Sequence, residues 1–433
     1  MKKKTFKSVL GLQKGVSFLA FMLLFGWMPS ASAATAEINA DSLIYITCKG
    51  LVIDEVSGTP LSYASVLVEG TNMASVTNSE GEFVLNVPQH LKNNNLLITY
   101  IGYQNERIQV SQFDGGVRRI QLKIAEVNLS EVRVVFKDAE ELMKNVFDLK
   151  KENYVTEPTL MTAFYRETVK LRKSYVSLLE AVVDVYKYPI SSDRDDLASL
   201  YKVRKKTDYS KLDTLVLKLA GGPYNTLCLD VMKNLDYTFT HQVFNNFDFK
   251  SVPTTMLDNH PVYVVEFKQK PNITEPLFYG KLYVDATNLA MFSATFDMNL
   301  DDVEKATALF VLSKPETANV KVTKAHYQVS YVLRDGKWYM SYGRAEMNFK
   351  VDWKRKLFNS TYEAVFEMAV TDWQQDTGGK WARTHDRLKP DAIVADEAEG
   401  FSDAAFWGSE NIIEPDKSIE TAISKIQTKL KER

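Results

Sequence analysis

Side chains that could carry out chemistry are numerous in this chain of 433 residues, but few stand at a telling spacing. Glycoside hydrolysis needs two carboxyl groups about 5–10 Å apart, and such pairs meet only in the fold. Among the 55 acidic residues, Asp184, Glu167 and Glu266 lie within apolar stretches and are the first candidates for such a pair. Because antiparallel strands normally alternate polar and apolar faces, we expect each of them to face solvent or to pair with a neighbour.

Metal-ligand spacings are absent from the sequence. No H-x-x-E or H-E-x-x-H motif surrounds any histidine, so a zinc peptidase has little support. The five histidines are His90, His241, His260, His326 and His385. Asp54, Glu55 and Asp114 could ligate calcium in loops, but the D-x-[DN]-x-[DN]-G spacing is missing. We therefore expect no metal, no other cofactor and no catalytic residue of a known motif.

Nucleophile and phosphate motifs are missing as well. The chain contains no G-x-S-x-G, no G-x-x-x-x-G-K-[ST] and no G-x-G-x-x-G that opens a helix. Neither Cys48 nor Cys228 stands in a context that would activate a thiol. The two cysteines could pair in an oxidising compartment, but two isolated buried thiols fit equally well. The sequence predicts a protein that is not an enzyme, with an unrecognised glycan or peptidoglycan hydrolase as an alternative.

The first 33 residues have the three parts of a secretory signal peptide. Five lysines lie before an almost continuously apolar run at residues 16–28, and Ala31-Ser32-Ala33 after it offers a cleavage site. The apolar run is shorter than the roughly 20 residues that span a bilayer. Cys48 lies too far from the cleavage site for a lipoprotein. We expect secretion across an inner membrane, to the periplasm or the outer membrane.

Composition narrows the function further. The formal net charge is −2, and removal of residues 1–33 leaves 48 basic and 55 acidic side chains, a net charge of −7. Phosphate binding needs a concentrated basic surface, so nucleic acid is not an expected partner. No later segment is long and apolar enough to cross a membrane. The length suggests two or three domains.

Residues 44–135 have the pattern of a small β-sandwich. Short alternating runs are separated by turn signals such as Ser57-Gly58-Thr59-Pro60 and Asp114-Gly115-Gly116, which predicts six or seven strands. Several ordered motifs resemble the carboxypeptidase-regulatory-like domain, a seven-stranded Greek-key sandwich common at the start of Gram-negative receptors. They include Ala64-Ser65-Val66-Leu67-Val68-Glu69-Gly70-Thr71, Thr77-Asn78-Ser79-Glu80-Gly81-Glu82-Phe83 and Tyr100-Ile101-Gly102-Tyr103. The resemblance implies an accessory module and an envelope protein, without carboxypeptidase chemistry.

The rest of the chain predicts long antiparallel strands with a few helices. Asp138 can cap a helix, and strands are indicated at 159–171, 175–188, 262–268, 278–285, 289–299, 327–333, 338–342, 344–352 and 361–373. Short helices are indicated at 212–219 and 227–235, and the basic run Lys202–Lys206 is typical of an edge strand. Eight to ten such strands predict a strongly curved sheet, a half-barrel, covered by helices. Its layout resembles the periplasmic lipoprotein-carrier fold.

These patterns predict a signal peptide at 1–33, a sandwich at 34–136, a sheet domain at 137–395 and a C-terminal segment at 396–433. The last segment ends in an amphipathic helix, capped by Asp416, that docks on the body. The function expected is binding or assembly in the envelope, with envelope proteins, or a hydrophobic or glycan ligand, as partners. A carrier of lipid or lipoprotein is an alternative. It depends on whether nine aromatic residues fill a core or line a cavity: Phe164, Tyr175, Tyr186, Phe244, Phe247, Phe249, Tyr263, Phe292 and Phe296.

Overall fold

A computed structural model describes residues 44–125, 138–207, 222–234, 244–257, 260–311, 314, 316–354, 359–375, 381, 387–389 and 404–421. All of them belong to one unit, Leu43–Arg433. The predicted signal peptide, the helix at 212–219 and the end of the C-terminal helix lie outside the described residues. The domain boundaries at 136/137 and 395/396 do so too.

Seven short strands build the N-terminal region, as the sequence predicts. They are β1 (Tyr45–Asp54), β2 (Ser65–Val68), β3 (Ala74–Val76), β4 (Glu82–Pro88), β5 (Asn95–Thr99), β6 (Glu106–Gln109) and β7 (Val117–Leu122). One sheet has the order β4-β1-β7 and the other β3-β2-β5-β6. Alternate side chains of β4 are buried, and Phe83 lies in the core between the sheets. The alternation that predicts the strands therefore also creates this core.

Glycine at two turns of the sandwich is required by the backbone. Gly70 and Gly81 have φ values of +75° and +77°, which only glycine adopts without strain. At Gly81 a Cβ would also lie 2.6 Å from the carbonyl oxygen of Val52. The glycines of the family motif thus serve turn geometry.

A ten-stranded antiparallel sheet follows, with the order β10-β9-β8-β17-β16-β15-β14-β13-β12-β11. Its strands are β8 (Thr159–Leu171), β9 (Ser174–Lys187), β10 (Leu197–Thr207), β11 (Phe247–Leu257), β12 (His260–Gln269), β13 (Phe278–Asp285), β14 (Met291–Met298), β15 (Ala318–Arg334), β16 (Lys337–Trp353) and β17 (Ser360–Gln375). Among the described pairings its two edge strands, β10 and β11, do not join each other, so the sheet is open. The strand count and the antiparallel class agree with the prediction.

Strands β15 and β16 differ from their predicted bounds for a physical reason. The register of this pair shifts between Val322 and Lys324 and again between Ser330 and Tyr331. The first shift leaves Thr323 of β15 as an extra residue, and the second leaves Ser341 of β16 as one. Each extra residue interrupts the alternation of its own strand while the strand continues. The pattern therefore showed only half of β15 and split β16 in two at Gly343. The turn between them has positive φ at Asp335 and Gly336, as expected for an Asp-Gly hairpin.

Helices lie on one face of the sheet. They are α1 (Ala139–Asp148), α2 (Lys150–Asn153), α3 (Pro223–Leu227) and α4 (Val303–Phe310). As predicted, the Asp138 side chain caps α1 by accepting from the Glu141 amide, and the apolar stripe of α1 enters the core of the sheet. The sequence patterns did not predict α4, which the Asp302 side chain caps in the same way.

Candidate functional site

Two adjacent rows of residues cross the whole sheet in register, one on each face. The polar row, from β10 to β11, is Arg204, Glu180, Arg166, Glu367, Arg344, Gln328, Thr295, Lys281, Glu266 and Lys250. The apolar row, in the same strand order, is Lys205, Leu179, Glu167, Phe366, Ala345, Tyr327, Phe296, Gly280, Phe267 and Phe249. On every strand the two members are consecutive residues, which point to opposite faces.

Charges alternate and are buried in the first half of the polar row. The Arg166 guanidinium lies 2.8 Å from Glu180 Oε1 and 3.3 Å from Glu367 Oε1. Arg204 contacts the other oxygen of Glu180 at 2.5 Å, and Arg344 lies 3.5 Å from Glu367 Oε2. The Arg166 and Glu180 side chains are 2% and 0% exposed. Burial alone would lower the pKa of Arg166, but the two glutamates outweigh it and raise that pKa.

The sandwich and the C-terminal segment close this half of the row. The Tyr342 hydroxyl donates to Glu367 Oε2 at 3.0 Å, and Tyr63 of the sandwich stacks on the Tyr342 ring. Trp407 lies against the Arg204 guanidinium, 5.0 Å from the ring centroid. The closure removes water from the charges, so they depend on each other for stabilisation.

The second half of the polar row is open to solvent. Lys281 and Glu266 are 3.5 Å apart, with side chains 50% and 42% exposed. The prediction that Glu266 faces solvent or pairs with a neighbour is confirmed, since this side chain does both. Asp184 lies on this same face of the sheet, opposite Ser199 of β10 in the pairing register.

Glu167 fits only part of the prediction made for it. It belongs to the apolar row, between Leu179 and Phe366, and its side chain is half-buried. Desolvation raises its pKa to about 7, although the Tyr165 hydroxyl, 3.2 Å away, and the charge of Lys205 act in the opposite direction. Of the two predicted alternatives, a solvent face or a pairing with a neighbour, Glu167 therefore takes the second, through Tyr165. The outer, solvent-facing alternative was wrong because the alternation of a single strand does not reveal which of its faces packs against helices.

The three candidate carboxylates do not form a pair. Glu167 lies on the helix-covered face, whereas Asp184 and Glu266 lie on the other face, on strands β9 and β12. A two-carboxylate site needs both groups in one cleft. The arrangement of these three residues therefore gives no support to glycoside hydrolysis.

The aromatic residues in question divide between the two faces. Phe244, Phe247, Phe249, Tyr263, Phe292 and Phe296 pack in the core on the helix-covered face. There Phe296 stacks on Tyr327 at 5.2 Å between centroids, and Phe244 stacks on Phe249 at 4.6 Å. Phe164, Tyr175 and Tyr186 lie on the opposite face, where they contact Trp407, Ser418 and Trp381. Around β11 to β15, the core interpretation of the aromatic residues is the better one.

Gly280 is the position of the apolar row that has no side chain, because the neighbouring strand and its aromatic residue Phe296 leave no room for one. A Cβ on Gly280 would lie 2.1 Å from the Thr295 carbonyl oxygen and 2.8 Å from the Phe296 Cβ. The neighbours of Gly280 in the row are Phe296 and Phe267, which pack within the same core. The missing side chain allows the close approach of β13 to β14.

A second buried ionic cluster joins the sheet to the segment after α3. The Lys187 ammonium lies 3.0 Å from Asp196 Oδ2 and 2.5 Å from Asp230 Oδ2. Lys233 also contacts Asp196, and the Tyr331 hydroxyl donates to Asp230 at 2.9 Å. Burial raises the pKa of Tyr331 and lowers that of Lys233. The partners satisfy one another, which makes this cluster a structural clamp.

The loop carboxylate Asp54 has a structural role. Its side chain accepts from the amides of Val56 and Ser57 and from the Tyr103 hydroxyl, so it organises a turn. Within the described residues no group of three or more His, Cys, Asp or Glu side chains is placed to hold a metal ion.

The two cysteines are free thiols. Burial raises the pKa of Cys48 to about 12 and that of Cys228 to about 11. At neutral pH both are therefore protonated and poor nucleophiles.

The fold defines a mostly β protein in which a small sandwich is joined to a ten-stranded antiparallel sheet with a few helices. Residues 48–134 match the family of CarboxypepD_reg-like domains, so this region is such a domain. The comparison with curated proteins found no match. No described helix has the length and apolar character needed to cross a membrane.

Similar solved structures include two proteins of low identity. A DUF1329 family protein from Desulfovibrio piger is 12% identical, with 57% of this chain and 97% of that chain covered and a TM-score of 0.26. Lipovitellin, in a structure described by its lipid–protein interactions, is 9% identical, with 52% of this chain and 26% of that chain covered and a TM-score of 0.25. Scores this low carry no argument about function.

Proposed function

We propose that this chain is a non-enzymatic binding protein of a Gram-negative envelope and that it takes an apolar ligand on the helix-covered face of its sheet. Glu167 is the observation that carries the proposal. It is an ionisable group set among apolar neighbours, and its side chain keeps partial access to solvent. A carboxyl group in such a place favours a ligand with an apolar body and one polar group.

The surroundings of Glu167 support this side of the sheet as the binding side. Val169, Leu171 and Val203 pack against the same core but stay partly exposed. They lie on β8 and β10, the half of the sheet remote from the aromatic core at β11 to β15. The opposite face of this half is closed by the chain's own sandwich and C-terminal segment, which leaves the helix-covered face for a ligand.

Secretion and envelope location form part of the same proposal. The signal-peptide pattern at 1–33 and the accessory nature of CarboxypepD_reg-like domains support them. An extracytoplasmic protein that binds an apolar molecule would serve as a carrier or as an assembly factor for lipid-containing partners.

Ligand binding can be tested on the full chain after removal of co-purified lipid. We expect native mass spectrometry to show a bound apolar molecule before delipidation, and a saturable uptake of a hydrophobic fluorescent dye afterwards. Leu171→Glu places a charge among the partly exposed apolar side chains and should abolish dye uptake. Thr295→Glu, on the polar row, is the matched control and should leave it unchanged. Equal uptake by both variants, or none by the wild-type chain, would reject the proposal.

A further inference from the structure

The C-terminal arm, residues 404–421, lies across the junction of the sandwich and the large sheet. On the sandwich side it is held by polar contacts to β3, β4 and the turn between them. Asn86 donates its amide to the Asn411 side chain at 2.8 Å, and the Ser75 hydroxyl donates to the Ile412 carbonyl at 3.2 Å. The Ser79 hydroxyl donates to the Asp416 carboxylate at 3.1 Å.

The other side of the arm rests on the large sheet. The Arg166 guanidinium donates to the Ile413 carbonyl at 2.6 Å. The Trp407 ring packs edge-on against Phe164 with 5.4 Å between centroids. Ile413, buried in the same apolar cluster, is a second anchor. One surface thus combines residues of both parts of the molecule around a single segment of the chain.

The arm is held by apolar anchors with polar contacts between them. Its described residues form no strand pairing with either sheet. Trp407 ends a 3-10 turn, Ile413 lies in the irregular stretch that follows, and Ile419 lies in the helix that begins at residue 417. All three side chains are buried, and apolar anchors of this kind are how grooves recognise short peptide segments.

Charge also matches between the arm and its surface. The buried half of the polar row contains three arginines and two glutamates and so carries a positive excess. The arm brings Glu414 and Asp416 to it, and the charge of Arg166 acts on both carboxylates. Although burial acts to raise it, the pKa of Asp416 is lowered by its hydrogen bonds and by Arg166, whereas burial and the nearby Glu420 and Glu82 keep the pKa of Glu414 raised. An acidic, branched apolar segment is therefore the chemistry that this surface selects.

We propose that this surface is a peptide-recognition groove and that it accepts the same arm from a second copy of the chain, giving an arm-exchanged dimer. Exchange of an identical element keeps every contact, so its cost is limited to the opening of the arm.

Hydrogen exchange in the wild-type chain tests whether the arm opens by itself. The amide of Ile419, bonded to Asp416, and its neighbours in the arm should exchange at least about tenfold faster than the paired amides of β8 and β17, because release of the arm does not require unfolding of the sheet. If the amides of the arm are protected as strongly as those of β8 and β17, the arm opens only when the sheet unfolds, and the proposal is overturned.

Recognition in trans is tested with a labelled peptide of residues 404–421. A full-length chain carrying Trp407→Ala and Ile413→Ser should bind the peptide saturably at 1:1, at least about tenfold more tightly than the wild-type chain, whose own arm competes. A peptide with Ile413→Asp is the matched control and should not bind. Absence of binding to a variant whose circular dichroism and melting remain native would contradict the proposal.

The exchange of arms between two copies is measured on the wild-type protein, so the result does not depend on whether a variant folds. Concentrated mixtures of unlabelled and ¹⁵N-labelled chain should yield mixed dimers in native mass spectrometry, and the fraction should rise with concentration. Addition of free arm peptide in excess should suppress them. Monomer at every concentration, or dimers that the peptide leaves unchanged, would overturn the exchange.

Discussion

Arg166 and Glu167 are consecutive ionisable residues of β8 whose side chains lie on opposite faces of the large sheet and in different electrostatic surroundings. Arg166 is fully enclosed and is neutralised by two carboxylates in register with it on the neighbouring strands. Glu167 lies among apolar side chains, and its pKa shifts to about 7. The difference teaches that a buried charge persists where the fold supplies counter-charges, and otherwise moves toward its neutral form.

The polar row provides a second comparison, between its closed and open halves. Ionic pairs on β8, β9 and β17 lie beneath the sandwich and the C-terminal arm, whereas the Lys281–Glu266 pair on β12 and β13 is exposed. Surface pairs contribute little because water screens them, but breaking a buried pair leaves an uncompensated charge. An ion pair in the closed half of the polar row should therefore contribute much more to the free energy of unfolding than an ion pair in the open half.

The largest effect is expected from Arg166→Met. The substitution keeps much of the side-chain volume but leaves Glu180 and Glu367 with fewer counter-charges in a closed interface. We expect the free energy of unfolding to fall by about 3–5 kcal/mol, measured by urea denaturation. A loss below 1 kcal/mol would mean that water reaches the row and that the two halves do not differ.

Gly280→Ala should follow in size. The new Cβ would collide with the Thr295 carbonyl oxygen, so β13 and β14 must separate within the aromatic core. We expect a loss of about 1–3 kcal/mol, as for other overpacked cores. Gly116→Ala, where only the end of the Asp114 side chain is near, is the matched control and should leave the melting temperature unchanged.

The pH dependence of stability should report Glu167. Its pKa in the folded chain, about 7, lies above its ordinary value of 4.5, so the folded protein binds the proton more tightly than the unfolded protein. The contribution of Glu167 to the free energy of unfolding is therefore fully present below pH 4.5. It is lost as pH rises to about 7, because the unfolded chain releases the proton at a lower pH than the folded chain does. Glu167→Gln should remove that slope and raise stability at pH 8 by about 1–2 kcal/mol, a value reduced for partial exposure. Glu266→Gln should leave the slope of the free energy of unfolding against pH unchanged. If Glu167→Gln also leaves that slope unchanged, a group other than Glu167 is responsible for it.

The smallest effect is expected from Lys281→Gln, in the open half of the polar row. Its partner Glu266 remains solvated, so the free energy of unfolding should change by less than about 0.5 kcal/mol. Chemical denaturation in parallel with Arg166→Met gives the direct comparison. A loss similar to that of Arg166→Met would mean that the row stabilises the protein as one network rather than through its buried half.

Much of the fold could be predicted from local patterns. The seven short strands, the bounds of β8 and β13, the cap of α1 and the edge position of β10 follow from alternation, turn residues and lysines in the sequence. β15 and β16 were recognised only in part, because their register shifts hide the continuous strand from a period-two pattern. The candidate site was predicted only as separate residues. Glu167 was singled out but placed on the wrong face of the sheet. Glu266, Phe249 and Phe296 were also singled out, but nothing in the sequence indicated that they align with the other members of the two rows.

What the sequence by itself determined is therefore local: the antiparallel strands, their turns, the accessory sandwich, and which residues alternate along each strand. Only the tertiary structure decided which face of the sheet is enclosed, and that Arg204, Glu180, Arg166, Glu367 and Arg344 align across five strands. The physical reason is that alternation assigns neighbouring side chains to opposite faces without saying what covers either face. The cover consists of the sandwich, the helices and the C-terminal arm, and no pattern within a single strand shows on which face each of them lies.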